Sequence, residues 1–313
     1  MTAPVPNTPS FIEAVRATIW QRLMERSPWR RFLPVVIDPA GVVRGSGKPG
    51  GRFVTVPAYR LTGPSSLPPT AWLPSDGSAP TFSSQPTWTT TDVAAHGLVT
   101  VLRVSDEFSA DFRRMSADAG PDDRTEFLWG VADLAAEALA LAEDDAFVNG
   151  SGAVGAPIVG LRNAGLATYD ATGKDVLTAL QGAIGQLRRA KRVPTAAVIG
   201  PAAVEKLRLL RDSAGAPIFP PDRPLIVDDV PVYESPAIAP GATSTAFAID
   251  GRWLAILHRP VDENLNALGI AFSRDGRFAT DEFELKVKIR VNLAPMPQFG
   301  KAGIIQITNL NTP

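Results

Sequence analysis

The feature that most constrains this chain is a long stretch with little helical or strand patterning, residues 38–90. It is rich in Gly, Pro, Ser and Thr, and six prolines fall between positions 64 and 86. Strand patterns precede and follow the proline-rich part, at residues 52–61 and 96–104. A structureless loop of this length is unusual inside a compact domain. We therefore expect the two strands to form an extended hairpin that projects from the body of the protein.

Three aromatic side chains in and beside this stretch favour a packed loop over disorder. They are Trp72, Phe82 and Trp88. Large aromatic rings gain most when they are buried, whereas disordered segments are poor in them. We expect these rings to contact another surface, and we treat them as candidates for contacts between subunits.

Charge is distributed unevenly although the chain is nearly neutral, with 31 basic and 32 acidic side chains. Residues 1–60 carry a net charge of +6, and residues 104–150 carry −9. These segments could attract each other within one chain or between neighbouring chains, or each could form a separately solvated face. The charged candidates for contacts between subunits are Arg26, Arg30, Arg31, Asp122 and Asp123.

Periodicity predicts an α+β protein. Residues 11–26 have apolar side chains four apart, preceded by Ser10 as an N-cap, and residues 122–147 form the strongest helical pattern. Helices are also expected at 175–192 and from 201 to about 211. Strands are expected at 196–199, 225–233, 246–250, 253–258, 269–273, 283–291 and 303–307, with clean alternation in the segment 283–291.

Motifs that would indicate chemistry fail on their context. Residues 150–155 have the spacing of a dinucleotide-binding loop, but they follow a helix where the mechanism needs a strand. Residues 45–48 resemble a phosphate-binding loop, but proline follows the lysine where Ser or Thr is needed. The chain has no cysteine, and His96 and His258 are its two histidines, so thiolate and His-rich metal sites are excluded. We interpret His258 as a structural residue.

Adjacent acids, Asp144–Asp145 and Asp228–Asp229, allow cation binding, but a solvated helix or turn is the favoured interpretation of each. We therefore expect no catalytic residue, cofactor or metal. No apolar stretch reaches the length of a membrane span, and the first ten residues lack a signal-peptide pattern.

Several local stretches, in this order, resemble the tailed-phage major capsid proteins of the Hong Kong 97 type. They are residues 104–108, 145–150 with 155–161, 201–219, 230–236 and 248–253. Each is weakly specific alone, but their order and spacing are similar to the family from about residue 11 to residue 310.

The resemblance implies an α+β fold with an N-terminal arm at 1–50 and an extended loop, a long β-hairpin, at 51–103. It implies a peripheral domain at 104–168 with a long spine helix, an axial α/β domain at 169–245, and peripheral strands at 246–313. It also implies pentamers and hexamers of this chain in an icosahedral virion around non-specifically bound double-stranded DNA. Assembly would take place in the bacterial cytoplasm with a portal and with possible scaffolding and cement proteins.

Two hypotheses concern how the shell holds together. Residues 51–103 contain no lysine, so we expect no isopeptide cross-link through this loop. We also expect the basic arm to lie across the acidic helix of a neighbour, so that charge reversal at Arg30 and Arg31 would impair assembly. The alternatives are an encapsulin, a cargo shell of the same fold, and a nucleotide-dependent enzyme using residues 150–155.

Overall fold

The protein is described by a computed structural model over residues 9–37, 58–64, 88–105, 121–259, 261, 268–273, 282–295 and 303–312. Its four helices in these ranges are α1 Pro9–Arg26, α2 Pro121–Asn149, α3 Val176–Arg189 and α4 Pro201–Leu209. Its strands are β1 Val35–Ile37, β2 Ala58–Pro64, β3 Trp88–Ala94, β4 His96–Ser105, β5 Ser151–Ala153, β6 Ala156–Val159, β7 Ala167–Asp170, β8 Ala196–Ile199, β9 Ile226–Val227, β10 Val230–Glu234, β11 Gly241–Ile249, β12 Leu254–His258, β13 Leu268–Ser273, β14 Glu282–Pro295 and β15 Ile304–Thr312.

The first of three hydrophobic clusters among the described residues lies between helices α1 and α2 and a five-stranded sheet. In this sheet β1 pairs with β12, and β14 pairs with β12 and β13 along one edge and with β4 along the opposite edge. Helix α1 buries Val15, Ile19 and Leu23, as its spacing of four predicts. Strand β14 buries every second residue from Leu285 to Leu293, which confirms the alternation seen in the sequence.

The second hydrophobic cluster lies between α3, α4 and a six-stranded sheet of order β7-β15-β11-β8-β10-β9. Helix α3 begins where the Asp175 side chain accepts a hydrogen bond from the Thr178 amide. Its apolar face, including Leu180, Ile184 and Leu187, is fully buried.

The strands of residues 246–313 are divided between the two large sheets. Residues 246–313 were expected to belong together, yet β11 and β15 join the six-stranded sheet, where β11 pairs with both β15 and β8. Strands β12, β13 and β14 lie in the other sheet. The alternating pattern identifies a strand but not its partner, because pairing is decided by contacts far apart in sequence.

The extended hairpin has a different return strand from the expected one. Strand β2 pairs with β3 from Ala58↔Ala94 to Pro64↔Trp88, whereas β4 pairs along β14 in the five-stranded sheet. The expected pairing of residues 52–61 with 96–104 is therefore wrong. Ala95, which is buried in a small cluster with Leu257 and Ala294, separates β3 from β4, so the hairpin ends where the core begins.

Candidate functional site

Helix α2 carries two adjacent acids, Glu143 and Asp144, on its buried side near its C-terminal end. Both residues are essentially inaccessible to solvent, at 0% and 1% exposure. The spacing of four from Leu139 through Glu143 to Phe147 places Glu143 on the apolar face of the helix. Because a buried carboxylate costs free energy unless it is paired, these two side chains must find partners inside the protein.

Glu143 is paired with the segment that follows α1. Arg30 donates to it from Nε at 2.9 Å and from Nη2 at 2.6 Å, and the Ser27 hydroxyl donates at 2.9 Å. The Arg30 and Glu143 side chains are both 0% exposed. Such a two-pronged contact between a guanidinium and a carboxylate is strong and sets the geometry of both groups. It therefore fixes the segment after α1 to helix α2.

Asp144 faces a different set of donors and joins three parts of the chain. It accepts hydrogen bonds from Trp29 Nε1 at 2.7 Å, from the Ser235 hydroxyl at 2.7 Å and from the Ala237 amide at 3.0 Å. Burial raises the pKa of the Asp144 carboxyl, although these donors act in the opposite direction. The helix is thus tied both to the arm and to the segment after β10.

His258, the last residue of β12, completes the network from the five-stranded sheet. Its Nε2 lies 2.6 Å from Arg30 Nη2, and Trp20 meets the ring edge-on with centroids 5.0 Å apart. Burial and then the adjacent Arg30 charge lower the pKa of His258 to about 3. A neutral imidazole can accept from Arg30 through Nε2, whereas an imidazolium cannot.

We call Ser27, Trp29, Arg30, Glu143, Asp144, Ser235 and His258 the buried polar junction. It joins the chain after α1, the helix α2, the segment after β10 and the end of β12. These elements come from positions more than 200 residues apart, since Arg30 and His258 are separated by 228. The arrangement can hold elements in register, and it presents no exposed reactive group.

A second set of ion pairs between the same two helices lies at the surface. Arg26 binds Asp133 and Glu137, the latter at 2.8 Å, and Arg22 lies 3.7 Å from Asp133. These side chains are 35–50% exposed, so each pair contributes little by itself. These pairs show attraction within one chain, which is one of the alternatives left open by the charge pattern; attraction between neighbouring chains stays a prediction.

The predicted contact residues fall in different places. Arg26 and Arg30 bind their own chain, and the buried Arg30 side chain is not available to a neighbour in this conformation. Arg31 is exposed and donates to the Glu25 carbonyl. Trp88 lies in β3 opposite Pro64, and Asp122 and Asp123 lie in the first turn of α2. Trp72 and Phe82 lie outside the described residues. For all eight predicted contact residues, contact with a neighbouring subunit stays a prediction.

The residues of the junction were mostly missed by the sequence arguments. The available signal was the position of Glu143 in line with the apolar face of α2, four residues from Leu139 and from Phe147. Asp144, which is buried, was interpreted together with Asp145 as solvated, and for Asp144 this is wrong. Asp145 is exposed and accepts from Asn149, and Asp228 and Asp229 form the turn between β9 and β10 with φ of 51° and 64°. Within the described ranges, no group of three or more His, Asp or Glu side chains is placed to hold a metal. None of the described helices is long and apolar enough to span a membrane.

Residues 150–155 form most of the small hairpin β5–β6 after α2. The chain therefore runs from helix to hairpin, whereas a dinucleotide site needs strand, loop and helix in that order. This geometry gives no support to the nucleotide-dependent enzyme.

Comparison with solved structures shows the same fold in several shells. The capsid of an empty GTA particle is 17% identical, with 90% of this chain and 89% of that chain covered and a TM-score of 0.57. Mycobacterium phage Bobi is 15% identical, with 90% of each chain covered and a TM-score of 0.57. The SrpI encapsulin of Synechococcus elongatus is 14% identical, with 100% and 92% covered and a TM-score of 0.57.

Comparison of sequences identifies the family. No curated protein matches the chain significantly. The model of the phage capsid family matches residues 13–298, which include most of α1, the long helix α2 and all the described strands except β15. The resemblance to capsid proteins of the Hong Kong 97 type is confirmed by this match and by the fold. The chain belongs to the phage capsid family and is a capsid shell protein.

Proposed function

We propose that this chain is the major capsid protein of a tailed double-stranded DNA phage, assembling as pentamers and hexamers into the icosahedral head. The observation that supports this most is the match of the phage capsid family to residues 13–298, on a fold shared with phage and GTA capsids. The match runs from helix α1 to the end of β14, so it covers the chain except for its last strand β15.

The structure supplies a physical basis for a subunit of this kind. The buried polar junction holds the arm helix, the spine helix and both sheets of one subunit together before any neighbour binds. The hairpin β2–β3 ends at Ala95, where the chain enters the body, and strand β4 lies at the edge of its sheet. A rigid body with a projecting hairpin can bind neighbours through many weak contacts, which allows errors to be corrected during assembly.

The finer assignments also belong to this proposal. In this proposal residues 1–50 are the arm and residues 51–103 are the extended loop. Residues 104–168 and 246–313 are the peripheral domain, and residues 169–245 are the axial domain. Strands β11 and β15 pair in the six-stranded sheet, which also contains strands of the axial segment. The partners are further copies of the chain, a portal, scaffolding or cement proteins, and packaged DNA. Since packaged DNA needs only a tolerant inner surface, the near-neutral charge of the chain is compatible with this role.

A second candidate is an encapsulin, a shell that holds a cargo protein in place of a genome. The SrpI encapsulin covers the whole of this chain with a TM-score of 0.57, which is the observation that favours it. The match to the phage capsid family favours the phage head over this alternative.

Particle content distinguishes the two shells. Particles isolated from the native producer cells should protect a double-stranded DNA genome from added nuclease, as shown by extraction after nuclease treatment. A matched sample opened with denaturant before nuclease is the control for accessibility. Particles that hold a folded cargo protein and no nuclease-resistant DNA would overturn the phage assignment.

A further inference from the structure

We infer that three basic side chains at the C-terminal end of α3 bind the phosphate backbone of packaged double-stranded DNA, an inference that rests on the proposed function. Arg188, Arg189 and Lys191 are all exposed, and we call them the basic turn. Residues 176–204, in which they lie, contain no acidic side chain. The charge of this segment is therefore of one sign, whereas the basic and acidic side chains of the whole chain nearly balance.

The basic turn has no carboxylate partner in its own chain among the described residues. None of the ion pairs in the described ranges includes one of its side chains. Arg188 donates to the backbone carbonyl of Asp228 at 2.5 Å, while the Asp228 carboxylate accepts from Gln181 at 3.2 Å. The arm differs in this respect, because Arg26 and Arg30 pair with acids of α2. The charges of the basic turn are thus held at the surface, where a partner outside the chain can bind them.

The dipole of α3 explains only part of this charge. Cations in the last turn of a helix are stabilised by its carbonyl end, which accounts for Arg188 and Arg189. Lys191 lies beyond the last turn with φ of 58°, where the amide of Arg192 donates to the Leu187 carbonyl at 2.9 Å. Glycine is favoured at this left-handed position, so a lysine there costs backbone free energy. Such a cost, which folding does not require, indicates that the charge has a use.

Packaged DNA is the partner whose chemistry fits the basic turn. Duplex DNA carries one negative charge per about 1.7 Å of its axis, so it can pair with closely spaced cations without sequence recognition. The acidic segment 104–150 of a neighbouring subunit is the other source of negative charge. However, Asp133, Glu137 and Glu143 in this segment already have partners in their own chain. On this assignment the C-terminal end of α3 lies on the inner side of the shell.

Chemical modification of lysine in particles tests this placement. Lys174, which is exposed just before the other end of α3 and about 20 Å from Lys191, is the matched control. Reaction with acetic anhydride is followed by mass spectrometry in DNA-filled particles, in DNA-free particles separated on a density gradient, and in dissociated subunits. We expect Lys191 to react at least about threefold more slowly in filled than in DNA-free particles, because phosphate contact shields its amine. Lys174 should react at equal rates in both.

Equal rates for Lys191 in filled and DNA-free particles would overturn the inference. If this common rate lies below the rate in dissociated subunits, a neighbouring subunit covers the basic turn instead. Protection of Lys174 as strong as that of Lys191 would also overturn it, since the contact would not be specific to the basic turn. The proposed function fails separately, if the particles hold no DNA.

The salt dependence of DNA binding gives an independent test on dissociated subunits. Binding of a duplex of about 30 base pairs is measured by fluorescence anisotropy over a range of NaCl concentrations. For Arg189→Gln with Lys191→Gln, the slope of log K against log salt should become smaller by about 1.8, since each phosphate contact contributes about 0.9. Lys286→Gln with Lys288→Gln, in β14, removes the same charge and should leave the slope unchanged. An unchanged slope in the first variant, an equal fall in the second, or no binding by the unmodified subunit at low salt would refute the inference.

Discussion

Replacing Glu143 by Gln should destabilise the subunit by about 3–5 kcal/mol, the cost of leaving a buried charge without its partner. The substitution keeps the shape of the side chain and removes only its charge. Arg30, which is 0% exposed in its side chain, would then lose the carboxylate that accepts from both Nε and Nη2. The neutral His258 beside it can accept one hydrogen bond but cannot supply the missing charge.

The surface ion pair of the same two helices provides the matched control. Arg26→Met removes the contacts to Asp133 and Glu137, whose side chains are 37% and 50% exposed. Solvent-exposed pairs of this kind contribute about 0–1 kcal/mol. Both variants break an ion pair between α2 and the segment around the end of α1. The difference between their losses in free energy of unfolding therefore measures the effect of burying the pair.

Equilibrium urea unfolding of dissociated subunits, followed by tryptophan fluorescence, measures both values. The double variant Arg30→Met with Glu143→Leu should recover much of the loss, because apolar side chains of similar volume replace the pair without a buried charge. A loss from Glu143→Gln no larger than that from Arg26→Met would refute the reasoning. So would a double variant as unstable as the single one.

Three further outcomes are expected. Subunit stability should be level above about pH 6.5 and should fall below that pH by up to about 1.4 kcal/mol per pH unit. The reason is that His258 binds a proton in the unfolded chain, whereas in the folded chain its pKa of about 3 keeps it neutral. Urea unfolding of His258→Gln should lack this slope. Gly160→Ala should lower the free energy of unfolding by about 1–3 kcal/mol, seen as a lower unfolding temperature, because its Cβ would clash with the Gly150 backbone. Gly185→Ala in α3, with no described atom within 4 Å of its added Cβ, should raise the free energy of unfolding by about 0.5–1 kcal/mol. Boiled particles should run as a single band on SDS gels, since residues 51–103 have no lysine, and covalent ladders would contradict this.

Much of the secondary structure could be predicted because it depends on neighbours in sequence. The helix expected at 122–147 is found at Pro121–Asn149, and that expected at 175–192 at Val176–Arg189. The strand at Ala196–Ile199 has the expected bounds. Apolar spacing, caps and alternation are all local, so a single sequence contains enough information to locate these elements.

Pairing and burial could not be predicted, because they depend on contacts between distant segments. Strand β4 was recognised, but its partner β14 lies about 180 residues later. Asp144 was interpreted as solvated, since acids are seldom buried. Only the approach of Arg30 to Glu143, and of Ser235 and Trp29 to Asp144, makes the burial of the two acids tolerable. Attraction of the arm to the acidic helix of a neighbour was expected from charge, whereas Arg26 and Arg30 pair with α2 of their own chain.

Electron cryomicroscopy of the purified, assembled chain tests the central claim most directly. The account predicts closed shells tens of nanometres wide, built from pentamers and hexamers, in which each subunit keeps Arg30 paired with Glu143 inside its own body. Small soluble oligomers under all assembly conditions, with no shell, tube or sheet in the micrographs, would contradict it.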